Sequence, residues 1–480
     1  MASVNTSSIR EEITHVKLQL DEQVRSGKVA DETRMLISTL LMIVDMLVAI
    51  FLEKSTKKGN KNSSIPSSQT EEDKSSKPRK PKDKREEHEE PFANSRTEES
   101  VEVSPVCRCE HCGENLRHVQ VDDYERRTRI DIVFEKRIEH TDAEIKTCPS
   151  CECVNKGAFA SDLAGPEQYG LGVKAFVLNL LVAQMVSFNR AQTLLKNLIG
   201  RAISQATMLK YILQLHEALA PWEDQAIKLL LASPAMNVDE TSMRVEKSKH
   251  WVHVYSAGDI TLKRLHPGRG KEAIDEINII PRYGGVIVHD CWPSYFSYEK
   301  SADALCGSHL MRELEFVINS NDYAWARNMK RLLKETCAEV SSRKSKRLKA
   351  DEYVNLQKRY RNILTRGMAE LPARPVRPSG KRGRLAQSDA QNLWDRLKTH
   401  EQAVLLFAKK AAVPFTNNRA ERDLRMGKVK QKVSGCFRQR KYAEAYCRIS
   451  SYLQSMAYQG YNPLTAIQFA LAGKFDLQKG

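Results

Sequence analysis

The stretch Thr416-Asn-Asn-Arg-Ala-Glu-Arg-Asp-Leu-Arg-Met426 lies near the C-terminal end of the chain and decides how the rest is interpreted. Its residue types predict the first turns of a helix. Either Thr416 or Asn417 can cap that helix, because both side chains carry an oxygen that accepts a backbone N–H at a helix N-terminus.

One face of this predicted helix carries chemistry. Asn418, Glu421 and Arg425 share the face, since they are spaced by three and four residues. A carboxylate between an amide and a guanidinium suits a polyanion held beside a metal ion. A solvated helix face with a salt bridge has the same pattern. Two aspartates associated with upstream apolar strands favour the metal interpretation.

Bulk composition limits the class of protein. The chain has 480 residues, enough for two to four domains, and a net charge of +16. That charge favours nucleic acid or another polyanion as partner, although a soluble basic protein has the same balance. Most of the eleven cysteines form two close clusters, which indicates metal binding in a reducing compartment. The polar start of the chain does not have the pattern of a secretory signal.

The N-terminal residues 1–54 are predicted to form two helices with a break at Gly27. The second contains the apolar run from Met35 to Leu52, with Asp45 near its middle. Because a charge is costly in lipid, we favour a self-associating or docked helix over a membrane span. Residues 55–104 contain few apolar residues and are predicted to be a disordered linker.

Residues 105–157 contain six cysteines, and two Cys-x-x-Cys pairs among them predict a structural zinc ribbon. A β-like segment, Arg129 to Ile138, lies between the pairs. Cys107 and Cys153 are surplus, so the choice of four ligands stays open. The predicted ligands are Cys109, Cys112, Cys148 and Cys151.

Residues 158–232 are predicted to be helical. Asn189 to Ile199, a turn at Gly200, and a second helix, Gln205 to Leu219, capped by Ser204, have the lengths of a helix-turn-helix. A plain helical hairpin has the same pattern. In the second helix we expect Leu209, Ile212 and Leu213 to face the core, and Gln205, Lys210 and Gln214 to face a DNA groove.

Residues 233–304 change to β structure. Three strands, a helix and a fourth strand follow in the order of an RNase H-like core. Asp239 lies inside the first strand, and its neighbour Glu240 must point to the opposite face. Asp290 follows the fourth strand, at the edge where sites gather in parallel sheets. Because the first and fourth strands of such a core are neighbours, both aspartates can share a divalent ion.

Residues 305–412 are predicted to be a helical insertion that ends in a single helix from Ser388 to Ala411, and 413–480 to complete the core. Cys306 and His309 share a helix face and are half of a possible metal site. No second half is visible in the sequence, which favours a packing role. The basic run from Lys428 to Arg438 suits phosphate contacts, although an ordinary solvated loop has the same composition. The residues predicted to contact DNA here are Arg425, Lys428, Lys430 and Lys432.

Several of these motifs together resemble the transposases of the IS-sixty-six group of bacterial insertion sequences. The resemblance covers nearly the whole chain, with Ile65 in place of the usual lysine and with Cys107 and Cys153 as additions. The matching motifs are Asn62-Ser-Ser-Ile-Pro-Ser-Ser68, the cysteine pairs, Val238-Asp-Glu-Thr241, Val288-His-Asp290, Cys306-Gly-Ser-His-Leu-Met-Arg-Glu-Leu314 and Thr416-Asn-Asn-Arg-Ala-Glu-Arg-Asp-Leu-Arg425.

The resemblance implies a DDE catalytic triad of Asp239, Asp290 and Glu421. In such a site the three acids hold two Mg²⁺ or Mn²⁺ ions about 4 Å apart for cleavage at transposon ends and strand transfer. It further implies a bacterial cytoplasmic location at the nucleoid, DNA as a partner and a possible need for accessory proteins of the same element. From the apolar N-terminal helices and Asp45 we expect a homo-oligomer and no membrane partner. The alternatives are a nuclease without strand transfer, a zinc-dependent DNA-binding regulator and an inactive copy.

The expected fold is therefore a multidomain α/β protein. An RNase H-like catalytic core with a helical insertion is preceded by N-terminal helices, a zinc ribbon-like domain and a helical, helix-turn-helix-like domain. The predicted boundaries are 1–54, 55–104, 105–157, 158–232, 233–304, 305–412 and 413–480.

Overall fold

A computed structural model describes residues 6–56, 101–129, 136–160, 163, 165–373 and 387–474. Most of the predicted linker and residues 130–135 of the predicted β segment lie outside the described residues. The chain divides into two compact units. The first comprises residues 1–83 and 220–455, and the second comprises residues 84–219 and 456–480.

Two N-terminal helices belong to the first unit, α1 (Thr6–Arg25) and α2 (Asp31–Ser55). They pack on each other, and Lys17 on α1 forms an ion pair of 2.6 Å with Asp45 on α2. By length and composition alone, residues 32–55 could cross a membrane. Little of this segment is buried against the rest of the described protein. Large apolar side chains along α2 are exposed, namely Met35, Leu36, Leu40, Ile43, Val44, Leu47 and Phe51.

Glu53 anchors the end of α2 inside the first unit. Its carboxylate is buried and accepts the backbone N–H groups of Asp389 and Ala390 at 2.6 and 2.9 Å. These N–H groups lie at a helix N-terminus, where the helix dipole favours a negative charge. The helical pair is thus attached to the body of this unit at one end.

The second unit contains a small hairpin and a helical group. The hairpin strands, β1 (Ile145–Thr147) and β2 (Val154–Lys156), are antiparallel and flank the second cysteine pair. The helices are α3 (Leu171–Leu178), extended by a π-helical turn (Asn179–Ala183), then α4 (Phe188–Ile199), α5 (Gln205–Ala218) and a C-terminal helix (Pro463–Leu471).

The predicted pair of helices after residue 188 is confirmed as α4 and α5. Gly200 has φ 73°, the left-handed conformation that ends a helix, and the Ser204 hydroxyl accepts the Thr207 N–H. The expected core face of α5 is partly wrong, because Leu209 and Leu213 are only half-buried. The fully covered stripe is Met208, Tyr211, Ile212 and Leu215.

A mixed five-stranded sheet forms the centre of the first unit. Its strands are β3 (Ala235–Val245), β4 (Ser248–Ala257), β5 (Ile260–His266), β6 (Val286–His289) and β7 (Ala302–Leu305), in the order β5-β4-β3-β6-β7. The first three strands form an antiparallel meander, while β6 and β7 run parallel to β3. The predicted adjacency of the first and fourth strands is confirmed. The short strand β7 was not predicted.

Helices pack on this sheet and also make up most of the described residues between β7 and Asn418. Before and within the sheet lie α6 (Ala220–Ala232) and α7 (Lys271–Ile277). Then come α8 (Gly307–Asn321), α9 (Ala324–Ser342), α10 (Ala350–Gly367), α11 (Asp389–Thr399), α12 (Glu401–Lys409), α13 (Asn418–Ser434) and α14 (Arg440–Tyr458). The single helix predicted over Ser388–Ala411 is wrong, because the chain leaves helical geometry at His400, where φ is −109°. Apolar side chains of β6, β7 and α8–α12 share one core.

Candidate active site

The sheet register brings Asp239 and Asp290 to the same level. Asn237 on β3 pairs with Val288 on β6, and the two strands are parallel. Each aspartate lies two residues further along its own chain segment, and residues two apart on a strand share a face. Directly after Asp290 the backbone turns at Cys291, which has φ 73° although it is not a glycine. Such a conformation costs energy and recurs at functional sites.

Asn417 connects the helix of Glu421 to the strand of Asp239. It precedes α13 but makes no side-chain cap, so the predicted capping role is wrong. Its buried amide instead donates to the carbonyl of Val238 at 2.7 Å and accepts from the Asn237 amide at 2.8 Å. These two bonds fix the first turn of α13 beside the residue that precedes Asp239.

Asp239 lies in the electrostatic field of the other two predicted acids. Burial raises its pKa well above the ordinary value, and the negative charges of Glu240, Asp290 and Glu421 raise it further. One backbone N–H, that of Glu240, donates to its Oδ1 at 2.8 Å. The carboxyl groups of β3, the end of β6 and α13 thus influence one another electrostatically, although among the described residues their oxygens do not form a group within 4.8 Å.

Glu240 points away from this group, as the strand alternation predicts. Its buried carboxylate accepts from Arg269 Nε at 2.5 Å and from the Tyr295 hydroxyl at 2.7 Å. The Arg269 guanidinium also lies over the Trp292 ring, 3.7 Å from its centroid. Glu240 therefore joins a supporting network behind the strand, and Asp239 alone faces the other acids.

Glu421 has two cationic or imidazole neighbours on α8. Its Oε1 lies 3.5 Å from His309 Nδ1 and 3.9 Å from an Arg312 guanidinium nitrogen. In the described residues, the Glu421 Oε1 and the His309 Nδ1 are buried without a hydrogen bond. Burial lowers the pKa of His309, as does the positive charge of Arg312.

A close backbone approach sets the position of α8 against α13. The Gly307 N–H donates to the carbonyl of Phe415 at 2.8 Å. A Cβ atom on Gly307 would clash with the Phe415 ring, so any larger residue would force that ring to move. The start of α8 and the start of α13 are therefore held together by two adjacent contacts, this one and the Asn417 N–H to Cys306 Sγ bond of 3.1 Å.

The sequence matches the family model described as "Transposase IS66 family" over residues 167–445, more than half of the chain. The chain belongs to the IS66 transposase family. The resemblance seen in its motifs is confirmed, and membership implies an enzyme that acts on DNA. No curated protein matches the sequence.

The cysteine pairs of this IS66-family transposase lie outside the matched range. Gly113, with φ 79°, closes the turn of the first pair, and its N–H donates to the carbonyl of Cys109 at 2.9 Å. Backbone N–H groups of each turn lower the pKa of Cys109 and of Cys148, which favours the thiolate form that binds metal. Among the described residues, the four predicted ligands do not form a group within 4.8 Å.

The predicted DNA-contacting residues of the transposase fall into two classes. Gln205, Lys210 and Gln214 on α5 are exposed, and so are Arg425 and Lys432 on α13. The ammonium group of Lys428 instead donates to the carbonyl of Ser242 at 2.7 Å, and Lys430 is buried. Burial lowers the pKa of both lysines. These two side chains contribute to packing in this structure.

Proposed function

We propose that this transposase cleaves DNA at the ends of its insertion sequence and joins the freed 3′ ends to target DNA, with Asp239, Asp290 and Glu421 as catalytic acids. The observation that carries the proposal is geometric: the β3–β6 register brings Asp239 and Asp290 to the same level, and the Asn417 bond to Val238 holds the start of the Glu421 helix beside Asp239. Membership of a transposase family supports the same conclusion.

The three carboxyl groups fit Mg²⁺ or Mn²⁺. All their donor atoms are oxygens, the ligands that these ions prefer, and Glu421 Oε1 has no hydrogen bond in the described chain. When bound, two such ions supply Lewis-acid activation of the attacking oxygen and stabilise the leaving oxygen. The separate carboxylate of Glu240 is held by Arg269 and Tyr295 and is not assigned to the ions.

The remaining task of the protein is to position the DNA for the two reactions. In cleavage, a water oxygen bonds to the scissile phosphorus and the 3′ oxygen leaves. In joining, that 3′ hydroxyl oxygen bonds to a target phosphorus and the target's own 3′ oxygen leaves. No covalent bond to the protein forms, so the side chains must orient the DNA. Arg312, beside Glu421, has the charge and fork geometry to contact a phosphate near the reacting atoms.

The same proposal includes the finer fold assignments. The strand order β5-β4-β3-β6-β7, with an antiparallel meander followed by parallel strands, supports an RNase H-like core. The two turns with N–H groups directed at Cys109 and Cys148 support a structural zinc ribbon. The exposed polar face of α5 supports DNA contact by Gln205 and its neighbours.

The deciding experiment is cleavage and joining of labelled transposon-end DNA by the purified chain with Mg²⁺ or Mn²⁺. We expect Asp239→Asn, Asp290→Asn and Glu421→Gln each to abolish product while DNA binding persists. Glu272→Gln, at an exposed carboxylate on α7, is the matched control and should remain active. A variant of the three acids that still cleaves would remove that residue from the site.

Other outcomes of this assay distinguish the alternatives. Cleavage without joined product would identify a nuclease. Binding without metal-dependent product, in the presence of companion proteins of the element, would identify a regulator or an inactive copy.

The proposal also includes self-association through α2. Its exposed apolar side chains, among them Leu36, Leu40 and Leu47, would become covered between two copies. Light scattering on the wild type and on Leu40→Lys tests this, and an unchanged mass in the variant would reject it. Recovery of the wild type in the membrane fraction would instead favour insertion of α2 into lipid.

A further inference from the structure

We infer that Cys306, His309 and Glu421 form a binding site for Zn²⁺ or a similar borderline divalent ion, and that this site shares Glu421 with the proposed magnesium site. The sequence offered Cys306 and His309 as half of a metal site without a second half. The structure supplies the missing carboxylate from α13. The regulatory meaning of the site rests on the proposed function, whereas the binding of the ion does not.

The three ligand atoms are already close together. The Cys306 Sγ, a ring nitrogen of His309 and a carboxylate oxygen of Glu421 lie within 4.8 Å of one another. His309 Nδ1 and Glu421 Oε1 are 3.5 Å apart. In a tetrahedral zinc site, bond lengths of about 2.0–2.3 Å give donor separations of about 3.3–3.6 Å. Small rotations of the side chains are therefore sufficient to close the site.

Two of the ligand atoms lack a partner that a cation would supply. The His309 Nδ1 and the Glu421 Oε1 are buried and make no hydrogen bond within the described residues. A buried acceptor without a partner is energetically unfavourable. A cation between the thiol, the imidazole and the carboxylate would satisfy both atoms together.

Backbone groups around Cys306 are arranged to support a thiolate. The Asn417 N–H donates to Sγ at 3.1 Å, and the N–H groups of Ser308 and His309 at the start of α8 also favour the charged sulfur. Such N–H to sulfur bonds are the outer contacts that orient metal-bound thiolates. The thiol proton of Cys306 is released when the ion binds to the sulfur.

The donor set selects the kind of ion. Sulfur and imidazole ligands suit zinc, while magnesium prefers oxygen ligands throughout. Three protein ligands leave one coordination position open. An ion bound here would draw Glu421 away from Asp239 and Asp290, so we expect zinc to inhibit magnesium-dependent cleavage. Arg312, 3.9 Å from the same carboxylate, competes with the ion for Glu421.

The test measures bound metal in the absence of DNA, so its result does not depend on cleavage. The full-length chain is equilibrated with Zn²⁺, separated from free metal and analysed for zinc per chain. We expect Cys306→Ser and His309→Ala each to bind one ion fewer than the wild type. Cys447→Ser, which alters another buried thiol of the same unit, is the matched control and should bind as many as the wild type.

A second measurement uses Co²⁺ as a spectroscopic probe. The difference spectrum between wild type and Cys306→Ser should contain a thiolate-to-cobalt charge-transfer band, and Cys447→Ser should give none. If Cys306→Ser does not fold, His309→Ala and Glu421→Gln decide, because both positions are partly exposed. Equal zinc content in the wild type, His309→Ala and Glu421→Gln would overturn the inference and leave His309 as a positioning residue for Glu421.

Discussion

The side-chain amide of Asn417 donates to the carbonyl of Val238 at 2.7 Å, and this bond connects the helix of one proposed catalytic acid to the strand of another. Val238 precedes Asp239, and Asn417 lies one turn before Glu421. Because Asn417 is completely buried, the bond is shielded from water. The relative position of the two acids thus depends on a residue that has no catalytic group.

Replacing Asn417 by alanine should therefore affect both stability and activity. The Val238 carbonyl and the Asn237 amide would lose their partners, which costs about 1–3 kcal/mol for each buried group left unsatisfied. A shift of Glu421 by about 1 Å is enough to lower the cleavage rate about 100-fold. Urea unfolding and single-turnover cleavage measure the two effects. Asn328→Ala, at an exposed asparagine on α9, should change neither.

Mutations of the neighbouring residues Asp239 and Glu240 should have different effects on stability and on cleavage. Glu240→Gln weakens the buried pair with Arg269, and the loss of one partner of such a pair costs up to about 3–5 kcal/mol. We expect a lower free energy of unfolding but retained metal-dependent cleavage. Asp239→Asn should instead abolish cleavage without lowering the free energy of unfolding. Complete loss of cleavage in a folded Glu240→Gln protein would contradict the assignment of Asp239 alone to the site.

The buried imidazole of His253 predicts a pH dependence of stability. Burial lowers its pKa from 6.5 to about 4, and its Nε2 lies 3.2 Å from the carbonyl of Gly268. The unfolded state binds the proton more readily than the folded state does. The contribution of His253 to the free energy of unfolding is therefore complete above pH 6.5 and is lost as the pH falls toward 4. The shift corresponds to about 3 kcal/mol.

His253→Gln isolates this contribution, since glutamine keeps an amide donor but does not titrate in this range. The free energy of unfolding should fall between pH 7 and pH 4 by about 3 kcal/mol more in the wild type than in the variant. All five tryptophans lie in the first unit, so tryptophan fluorescence follows that unit. If the free energy of unfolding changed with pH equally in the wild type and in the variant, a buried, neutral imidazole at His253 would be excluded.

The surplus cysteines of the proposed zinc ribbon give a further prediction. Cys109→Ser and Cys148→Ser remove the thiols whose pKa the backbone turns lower, and each should abolish the ribbon's zinc. Cys107→Ser and Cys153→Ser should keep it, because their carbonyls, and not their thiols, close the turns with Leu116 and Cys148. Metal analysis of the four variants checks this. Zinc loss in Cys153→Ser would change the assigned ligand set.

Local patterns in the sequence predicted most of the sheet and the helices on either side of it. Strands β3 to β6 alternate or form short apolar runs between turn residues, which are local signals. The four residues of β7, Ala302–Leu305, are too short to show a period. The helix break at His400 is not marked by a glycine or a proline, so the sequence predicts a single helix from Ser388 to Ala411.

Contacts between distant segments could not be predicted in the same way. Nothing near Asn417 indicates that its amide bonds to Val238 instead of capping its own helix, because helix capping is the local default. Likewise, Cys306 and His309 meet Glu421 only through the fold. The basic run after Arg425 suggested uniform phosphate contact, but its spacing turns Lys430 inward while Lys432 stays exposed. Charge alone does not reveal which lysines are free to reach DNA.

Arg425 is exposed on α13 whereas Lys430 is buried, so the two residues should differ in their contribution to DNA binding. Each phosphate contact releases counterions and contributes about 0.9 to the slope of log affinity against log salt. Arg425→Ala should therefore weaken binding to transposon-end DNA and reduce the slope by about 0.9. Lys430→Met removes a buried ammonium whose pKa burial already lowers, so the slope should stay unchanged. Binding titrations between low and moderate salt measure both slopes. If Lys430→Met reduced the slope as much as Arg425→Ala, α13 would have to rearrange on DNA so that Lys430 reaches a phosphate.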